Sequence, residues 1–329
     1  MKFIALAAAA WCAAFSAFAA NDPIAIVIHG GAGALERGRY TAEEEAAHLK
    51  ALEEARDAGY AVLEKGGTSL DAVVAAITRL EDDPKFNAGK GAVFTSEGTN
   101  ELDASIMDGA SLNAGAVAGV TRVKNPILLA RAVMESSVHV MMAREGAETF
   151  AEEQGLEFVD PKYFYTERRW KSFKRAQEKA KKGASLPAEF KYGTVGAVAL
   201  DRAGNLAAGT STGGMTYKRW GRVGDSPIIG AGTYADNKSC GVSATGWGEY
   251  FIRLTIARDI CAQVEYGGKS VEDAANDVIF NRLDKTEGDG GVIVLGADGD
   301  IAAPFNTAGM FRAWRKEGET PFVAIYGEE

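Results

Sequence analysis

Histidine is nearly absent from this sequence: His29, His48 and His139 are the three among its 329 residues. The shortage decides how to read Gly209-Thr210-Ser211-Thr212-Gly213, which has the G-x-S-x-G spacing of a serine nucleophile on a strand-to-helix turn. A triad on that turn needs its histidine after the serine in chain order, and all three precede Ser211, so it is excluded. His29 reads instead as a structural residue at a strand end. The H-E-x-x-H, C-x-x-C and H-x-H spacings of metal centres are missing too. Gly30-Gly31-Ala32-Gly33 has neither the G-x-G-x-x-G spacing nor the Lys-Ser or Lys-Thr pair of a phosphate loop.

Cysteine is as scarce, with Cys12, Cys240 and Cys261. Cys12 falls in a segment that reads as an export leader: Lys2, an apolar run over residues 3–18, then the small-residue pattern Ala17-Phe18-Ala19. The expectation is a signal peptide over residues 1–19 and a periplasmic or secreted protein. Cys240 and Cys261 are then left to pair in an oxidising compartment, although their spacing does not say whether they meet. Neither has a partner motif for cysteine catalysis. No second long apolar run follows, so no membrane association is expected once the leader is gone. Positive charge is short as well. A net charge of -9 excludes nucleic acid as the main partner, because phosphate binding needs clustered cations. The basic run over residues 168–182 reads as solvated charge in a linker. Small molecules or peptides remain as partners.

Glycine is abundant, 39 residues against a usual ~7%, which suits tight turns and loop-built sites. Residues 24–28 form an apolar run that ends in His29 and the glycine loop, a buried strand. Thr41 and Glu44 make a capping box for a first helix, and Ser69 opens a second that must stop before Pro84. Short apolar segments over residues 91–123 read as antiparallel strands, and Asn125-Pro126 opens another helix. Hairpins are expected over residues 195–210 and 292–303, with helices over 248–262 and 270–283 between them. Strands and helices cluster instead of alternating. That pattern predicts an α+β fold, a four-layer αββα sandwich of two antiparallel sheets. Residues 154–193, charged and proline-bounded around 163–191, read as a flexible linker joining two halves of one domain.

With other chemistries excluded, a nucleophile that carries its own base remains. If a threonine hydroxyl attacks the carbonyl before it and the ester hydrolyses, that threonine begins a new chain with a free α-amine. Such an amine, with an ordinary pKa of about 7.7 to 8.0, suits a general base near neutral pH. Gly193-Thr194 fits this requirement, lying between the expected linker and a buried strand.

The residues around Thr194 carry a resemblance. Tyr192-Gly-Thr-Val-Gly-Ala-Val-Ala-Leu-Asp201, Thr210-Ser-Thr-Gly-Gly-Met215, Gly221-Arg-Val-Gly-Asp-Ser-Pro227 and Gly230-Ala-Gly-Thr-Tyr-Ala235 closely resemble the plant-type asparaginase, or isoaspartyl aminopeptidase, family. The likeness extends to His29-Gly-Gly-Ala-Gly33, Phe86-Asn-Ala-Gly89, Glu101-Leu-Asp-Ala104, Met107-Asp-Gly109 and Pro304-Phe-Asn-Thr307. It implies an N-terminal nucleophile hydrolase fold cut at Gly193-Thr194. An α subunit (20–193) and a β subunit (194–329) would stay together and pair as a dimer of αβ heterodimers. The implied activity is hydrolysis of L-asparagine and N-terminal β-aspartyl dipeptides. A glycosylasparaginase-like amidase and a non-processing relative that only binds amino acids are the alternatives.

Carried over by position, the resemblance makes Thr194 the nucleophile and Thr212 a second hydroxyl beside it. It makes Arg222 the clamp for a substrate α-carboxylate and Asp225 the partner of the α-ammonium. Thr245 and the Gly246 N–H correspond to an oxyanion hole, Gly248 offers a carbonyl to the ammonium, and Asn87 is expected at the substrate. The backbone carbonyls of Leu80, Glu81, Asp83, Phe86, Ala88 and Lys90 match a structural sodium site, with no cofactor implied for catalysis. Two departures bear on specificity. Trp247 stands where a smaller residue is common. Gly193 and Gly213 stand where the related glycosylasparaginases usually carry Asp and Asn.

Overall fold

The computed structural model describes residues 23–183 and 193–327. The leader expected over residues 1–19 lies outside them, as does the 184–192 part of the expected linker. The first piece contains β1 (Ala25–Gly33), α1 (Ala42–Glu64), α2 (Ser69–Asp82), β2 (Leu102–Asp108), β3 (Ala114–Val120), α3 (Pro126–Ser136), β4 (Met141–Ala143), α4 (Arg144–Glu153) and α5 (Glu167–Lys181). The second begins with β5 (Val195–Leu200), β6 (Leu206–Thr212), β7 (Thr233–Ala235), β8 (Cys240–Gly246), α6 (Gly248–Leu254) and α7 (Ile256–Gly267). It ends with α8 (Val271–Asn276), β9 (Gly290–Gly296), β10 (Ile301–Ala302), β11 (Gly309–Lys316) and β12 (Phe322–Ala324).

Local chemistry sets several boundaries. The Thr41 hydroxyl accepts the Glu44 N–H at 3.2 Å while the Glu44 carboxylate accepts the Thr41 N–H at 2.9 Å, so α1 opens on the expected capping box. Thr68 caps α2, which stops at Asp83 just ahead of Pro84. One sheet has eight strands in the order β12-β11-β1-β5-β6-β2-β3-β4, and the other has four in the order β10-β9-β8-β7. Every pairing is antiparallel except β3 with β4.

Alternation along β1 explains the layering, because successive side chains point to opposite faces. Ile26 and Ile28 join Leu52, Val73, Ile77 and Ile127 in the core under α1, α2 and α3. Val27 joins Val198, Ala208, Ile293, Leu295 and Met310 in a second core between the sheets. A third, with Ile256, Ile260, Val242 and Val294, lies under α7 and α8. Three cores separate four layers, the expected αββα sandwich. β1 is inserted between β5 and β11, and β2 pairs with β6, so residues before and after position 193 share one sheet.

The linker reading needs correction over its described part. Residues 167–181 form α5, capped by the Thr166 hydroxyl on Arg169 N–H at 3.2 Å. Phe173 and Ala176, three residues apart, turn one face of this charged helix inward. Phe94 and Trp170 pack against each other and against Phe173, which holds the helix to the body. The helix expected over 248–262 is also interrupted. Thr255 adopts a left-handed conformation (φ 48°) that separates α6 from α7.

Cys240, which opens β8, and Cys261 in α7 form a disulfide across a sequence separation of 21. A loop of that length restricts the unfolded chain by about 3 kcal/mol on the chain-entropy estimate. Reduction, or a Cys240→Ala/Cys261→Ala double variant, should therefore lower the urea midpoint. An unchanged midpoint would show that the bond contributes nothing to stability.

Candidate active site

Thr194 enters β5 at the seam between the sheets, with its neighbour Val195 opposite Ser211 of β6. That register sets Thr194 beside Thr212, and its hydroxyl donates to the Thr212 oxygen at 3.0 Å. The same oxygen accepts the Gly214 N–H at 3.0 Å. Both threonines are buried.

The carbonyls on either side of the Thr194 nitrogen and Cα are each held. Gly193 O accepts the Asn87 N–H at 3.1 Å, and Thr194 O faces His29 Nδ1 at 3.1 Å. Gly193 has φ 134°, in the region that favours glycine, and a Cβ there would lie 2.8 Å from Asn87 Cβ. A Cβ on Gly31 would lie 2.6 Å from Gly193 Cα, so two glycine backbones touch where any side chain would separate them. Burial pushes the His29 pKa down to about 3, so the ring is neutral and serves as a structural partner rather than a base.

The Arg222 guanidinium donates from Nε and Nη2 to the two carboxylate oxygens of Glu249 at 2.9 and 2.8 Å. Its fork is thus already engaged. Asp225 is buried, and its Oδ2 has no hydrogen-bond partner among the described residues. Desolvation raises its pKa to about 7, against the opposing pull of the Arg222 charge. A Cβ on Gly248 would lie 2.7 Å from Asp225 Oδ1 and 2.9 Å from Arg222 Nη2, so glycine is what lets the start of α6 approach this pair.

Thr245 connects the two groups. Its oxygen accepts the Ala32 N–H at 3.2 Å, tying the end of β8 to the glycine loop whose Gly31 abuts Gly193. From Thr245 the chain passes through Gly246 and Trp247 to Gly248. The Trp247 ring packs edge-on against Tyr250 at 4.9 Å, lying along α6. Asn87 lies beside the Gly193 peptide, next to Thr194. Its side chain is spent on Gly214 O at 2.8 Å and Val93 N–H at 2.9 Å.

Leu80 and Glu81 lie in the last turn of α2, and Asp83, Phe86, Ala88 and Lys90 follow its end. The carbonyl of Glu81 comes against Gly89 and that of Phe86 against Gly91, positions where a Cβ would collide. Among the described residues no group of three or more His, Cys, Asp or Glu side chains could hold a metal, and no helix is long and apolar enough to cross a membrane.

Glu249 and Ser243, the partners of Arg222 and His29, escaped the sequence reading. Glu249 directly follows Gly248, so an acid beside a cationic clamp was the available signal. Nothing local marks Ser243, which lies 214 positions from His29.

A family model described as asparaginase matches residues 22–325. The chain is 50% identical over 309 residues to an isoaspartyl peptidase of Escherichia coli (strain K12), covering 92% of this chain and 96% of that protein. It is 51% identical over 308 residues to an isoaspartyl peptidase of Salmonella typhimurium, covering 92% and 98%. An isoaspartyl peptidase/L-asparaginase of Homo sapiens is 43% identical over 302 residues, covering 92% and 96%.

Proposed function

This chain belongs to the asparaginase family, and from that premise we propose that it hydrolyses L-asparagine and N-terminal β-aspartyl dipeptides through Thr194, after cutting its own Gly193-Thr194 bond. The observation that carries the reading is the Thr194 hydroxyl on Thr212 beside a Gly193 carbonyl already held by Asn87 N–H. Attack of Oγ on that carbonyl develops charge on an oxygen that faces a backbone donor. Hydrolysis of the resulting ester leaves a carboxylate on Gly193 and a free amine on Thr194.

In the cut protein that amine takes the hydroxyl proton as Oγ attacks the side-chain carbonyl of the substrate. Arg222 receives the substrate α-carboxylate, which must share or displace Glu249. Asp225 and the Gly248 carbonyl receive the α-ammonium, which gives the unpartnered Oδ2 a partner. Thr245 and the Gly246 N–H stabilise the oxyanion. Ammonia or an amino acid leaves first, and water then releases aspartate from Thr194.

The shared large sheet supports a cut protein that stays in one piece, since β1 lies between β5 and β11 and β2 pairs with β6 across the cut. We further propose export with removal of residues 1–19, supported by the Cys240–Cys261 disulfide, and assembly as a dimer of αβ pairs. A structural sodium ion held by backbone carbonyls of residues 80–90 is part of the same proposal, because carbonyl oxygens are the ligands a hard cation prefers. Sugar-linked asparagine is a weaker second reading. A side chain at Gly213 would start 2.7 Å from both Ala92 Cβ and Asn87 Oδ1, so the usual asparagine of the glycosylasparaginases has no room there.

The deciding experiment incubates the purified protein, sequences its N-termini and assays asparagine, β-aspartyl-leucine and a glycosylasparagine. A new terminus at Thr194 with release of leucine and ammonia is expected. A single stable chain that binds amino acids without turnover would replace this reading with that of a non-processing relative.

A further inference from the structure

The core between the two sheets is built from alanine, valine, isoleucine, leucine and methionine, yet a file of five polar side chains runs through it. His29 of β1, Ser105 of β2 and Thr210 of β6 come from the large sheet, and Thr233 of β7 and Ser243 of β8 from the small one. All five are fully buried. His29 Nε2 lies 2.9 Å from Ser243 Oγ, which lies 2.7 Å from Thr210 Oγ1. Thr210 Oγ1 lies 2.5 Å from Thr233 Oγ1, and Ser105 Oγ lies 2.8 Å from Thr233 Oγ1 and 2.6 Å from Ser226 O. One end of this file is the carbonyl of Thr194, reached through His29 Nδ1. The other is the carbonyl of Ser226, the residue after Asp225.

Resting on the reading of Thr194 as nucleophile, we propose that Ser243, Thr210, Thr233 and Ser105 are positioning residues, which fix the Thr194 backbone through His29 relative to the turn that carries Asp225.

The proton inventory gives the file one direction. A carbonyl oxygen can only accept, so Nδ1 of His29 carries the proton and donates to Thr194 O. Burial keeps the ring neutral, so Nε2 bears a lone pair and accepts from Ser243. Each hydroxyl has a single proton to give. Ser243 therefore accepts from Thr210, whose proton lies between the Ser243 oxygen at 2.7 Å and the Gly232 carbonyl at 3.1 Å. Thr210 accepts from Thr233, and Thr233 from Ser105, whose proton lies between Thr233 and the Ser226 carbonyl. Bonds aligned in this way polarise one another, whereas an interrupted file leaves a buried group unsatisfied. Packing alone does not call for it, because apolar residues of similar volume would fill the seam without desolvating polar atoms. The structure even forgoes a side chain to accommodate it: a Cβ on Gly196 would collide with Ser243 Oγ and come within 2.5 Å of His29 Nε2. The consequence is largest after cutting. Thr194 then loses its covalent tether on the amine side, and the bond from His29 to its carbonyl joins the Thr212 contact on its hydroxyl in orienting amine and hydroxyl.

Two substitutions at Thr210 separate a hydrogen-bonding role from a packing role. Thr210→Val keeps the volume and breaks the file, whereas Thr210→Ser keeps the hydroxyl and loses a methyl. In the cut protein acting on β-aspartyl-leucine, the valine variant should lose about tenfold in kcat with KM within about twofold, and should cut itself more slowly. The serine variant should stay within about threefold of the parent. The opposite ranking, or equal activity in all three proteins, overturns the proposal. Should the valine variant not fold, Ser243→Ala interrupts the same file next to His29. A readout that needs no turnover is the ¹⁵N spectrum of the His29 ring, expected as the neutral Nδ1–H form across about pH 5 to 8. An Nε2–H form would refute the file even if the parent protein proved uncut, an outcome that by itself would remove only the nucleophile assignment.

Discussion

A Thr194→Ala protein should persist as one uncut chain and show amidase activity at background, a fall of about 10⁴-fold or more. One side chain is lost from two reactions. Without Oγ there is no attack on the Gly193 carbonyl, so no free α-amine appears, and the substrate meets neither nucleophile nor base. Misfolding is a poor alternative explanation, because the deletion costs a single buried hydrogen bond, about 1 kcal/mol. Thr212 also keeps its bond from Gly214 N–H. Thr194→Ser retains the oxygen and should retain some cutting and some turnover, at lower rates because the β-methyl no longer restricts the rotamer. Intact mass with a thermal melt checks both variants. An alanine variant that still separates after Gly193 would mean that cutting does not begin at this residue.

Features fixed within a few residues could be read directly: the Thr41/Glu44 box, the Asp201-to-Asn205 turn between β5 and β6, and the strand that leads into His29. The layers followed from clustering of strands and helices, since each element must bury one apolar face. Features fixed by sheet register could not be read. His29 meets Ser243 only because β1 and β8 face each other across the inner core. The disulfide exists because α7 lies over β8, which a spacing of 21 does not reveal. The α5 error has a different origin. Its abundant charge hid Phe173 and Ala176, although the aromatic residues Trp170 and Phe173 at helical spacing were visible in the sequence. At Arg222 the residue type suggested a free carboxylate clamp. In the fold, Glu249 from the start of α6 already fills the fork.

Asp225 should give the reaction an acid limb that its carboxylate controls. In the empty site its pKa stands at about 7, raised by burial and by the negative charges of Glu249 and Asp103, with Arg222 as the opposing charge. A neutral carboxyl cannot hold the substrate ammonium as an ion pair, so kcat/KM should fall about tenfold per pH unit below about 7. The bound ammonium favours the ionised form and lowers that pKa, which places the same limb at lower pH in kcat than in kcat/KM. The free Thr194 amine, titrating near 8 in ordinary surroundings, contributes a second acid limb that belongs to proton transfer rather than to binding. Asp225→Asn separates the two. It should cost about 100-fold or more in kcat/KM through the lost charge-assisted contact, while removing the carboxylate limb and leaving that of the amine. Because Oδ2 has no partner in the empty site, the variant forfeits no existing hydrogen bond there and should melt at or above the parent temperature. A parent profile flat between about pH 5.5 and 7.5, or an asparagine variant with the profile unchanged, would dissociate Asp225 from recognition of the ammonium.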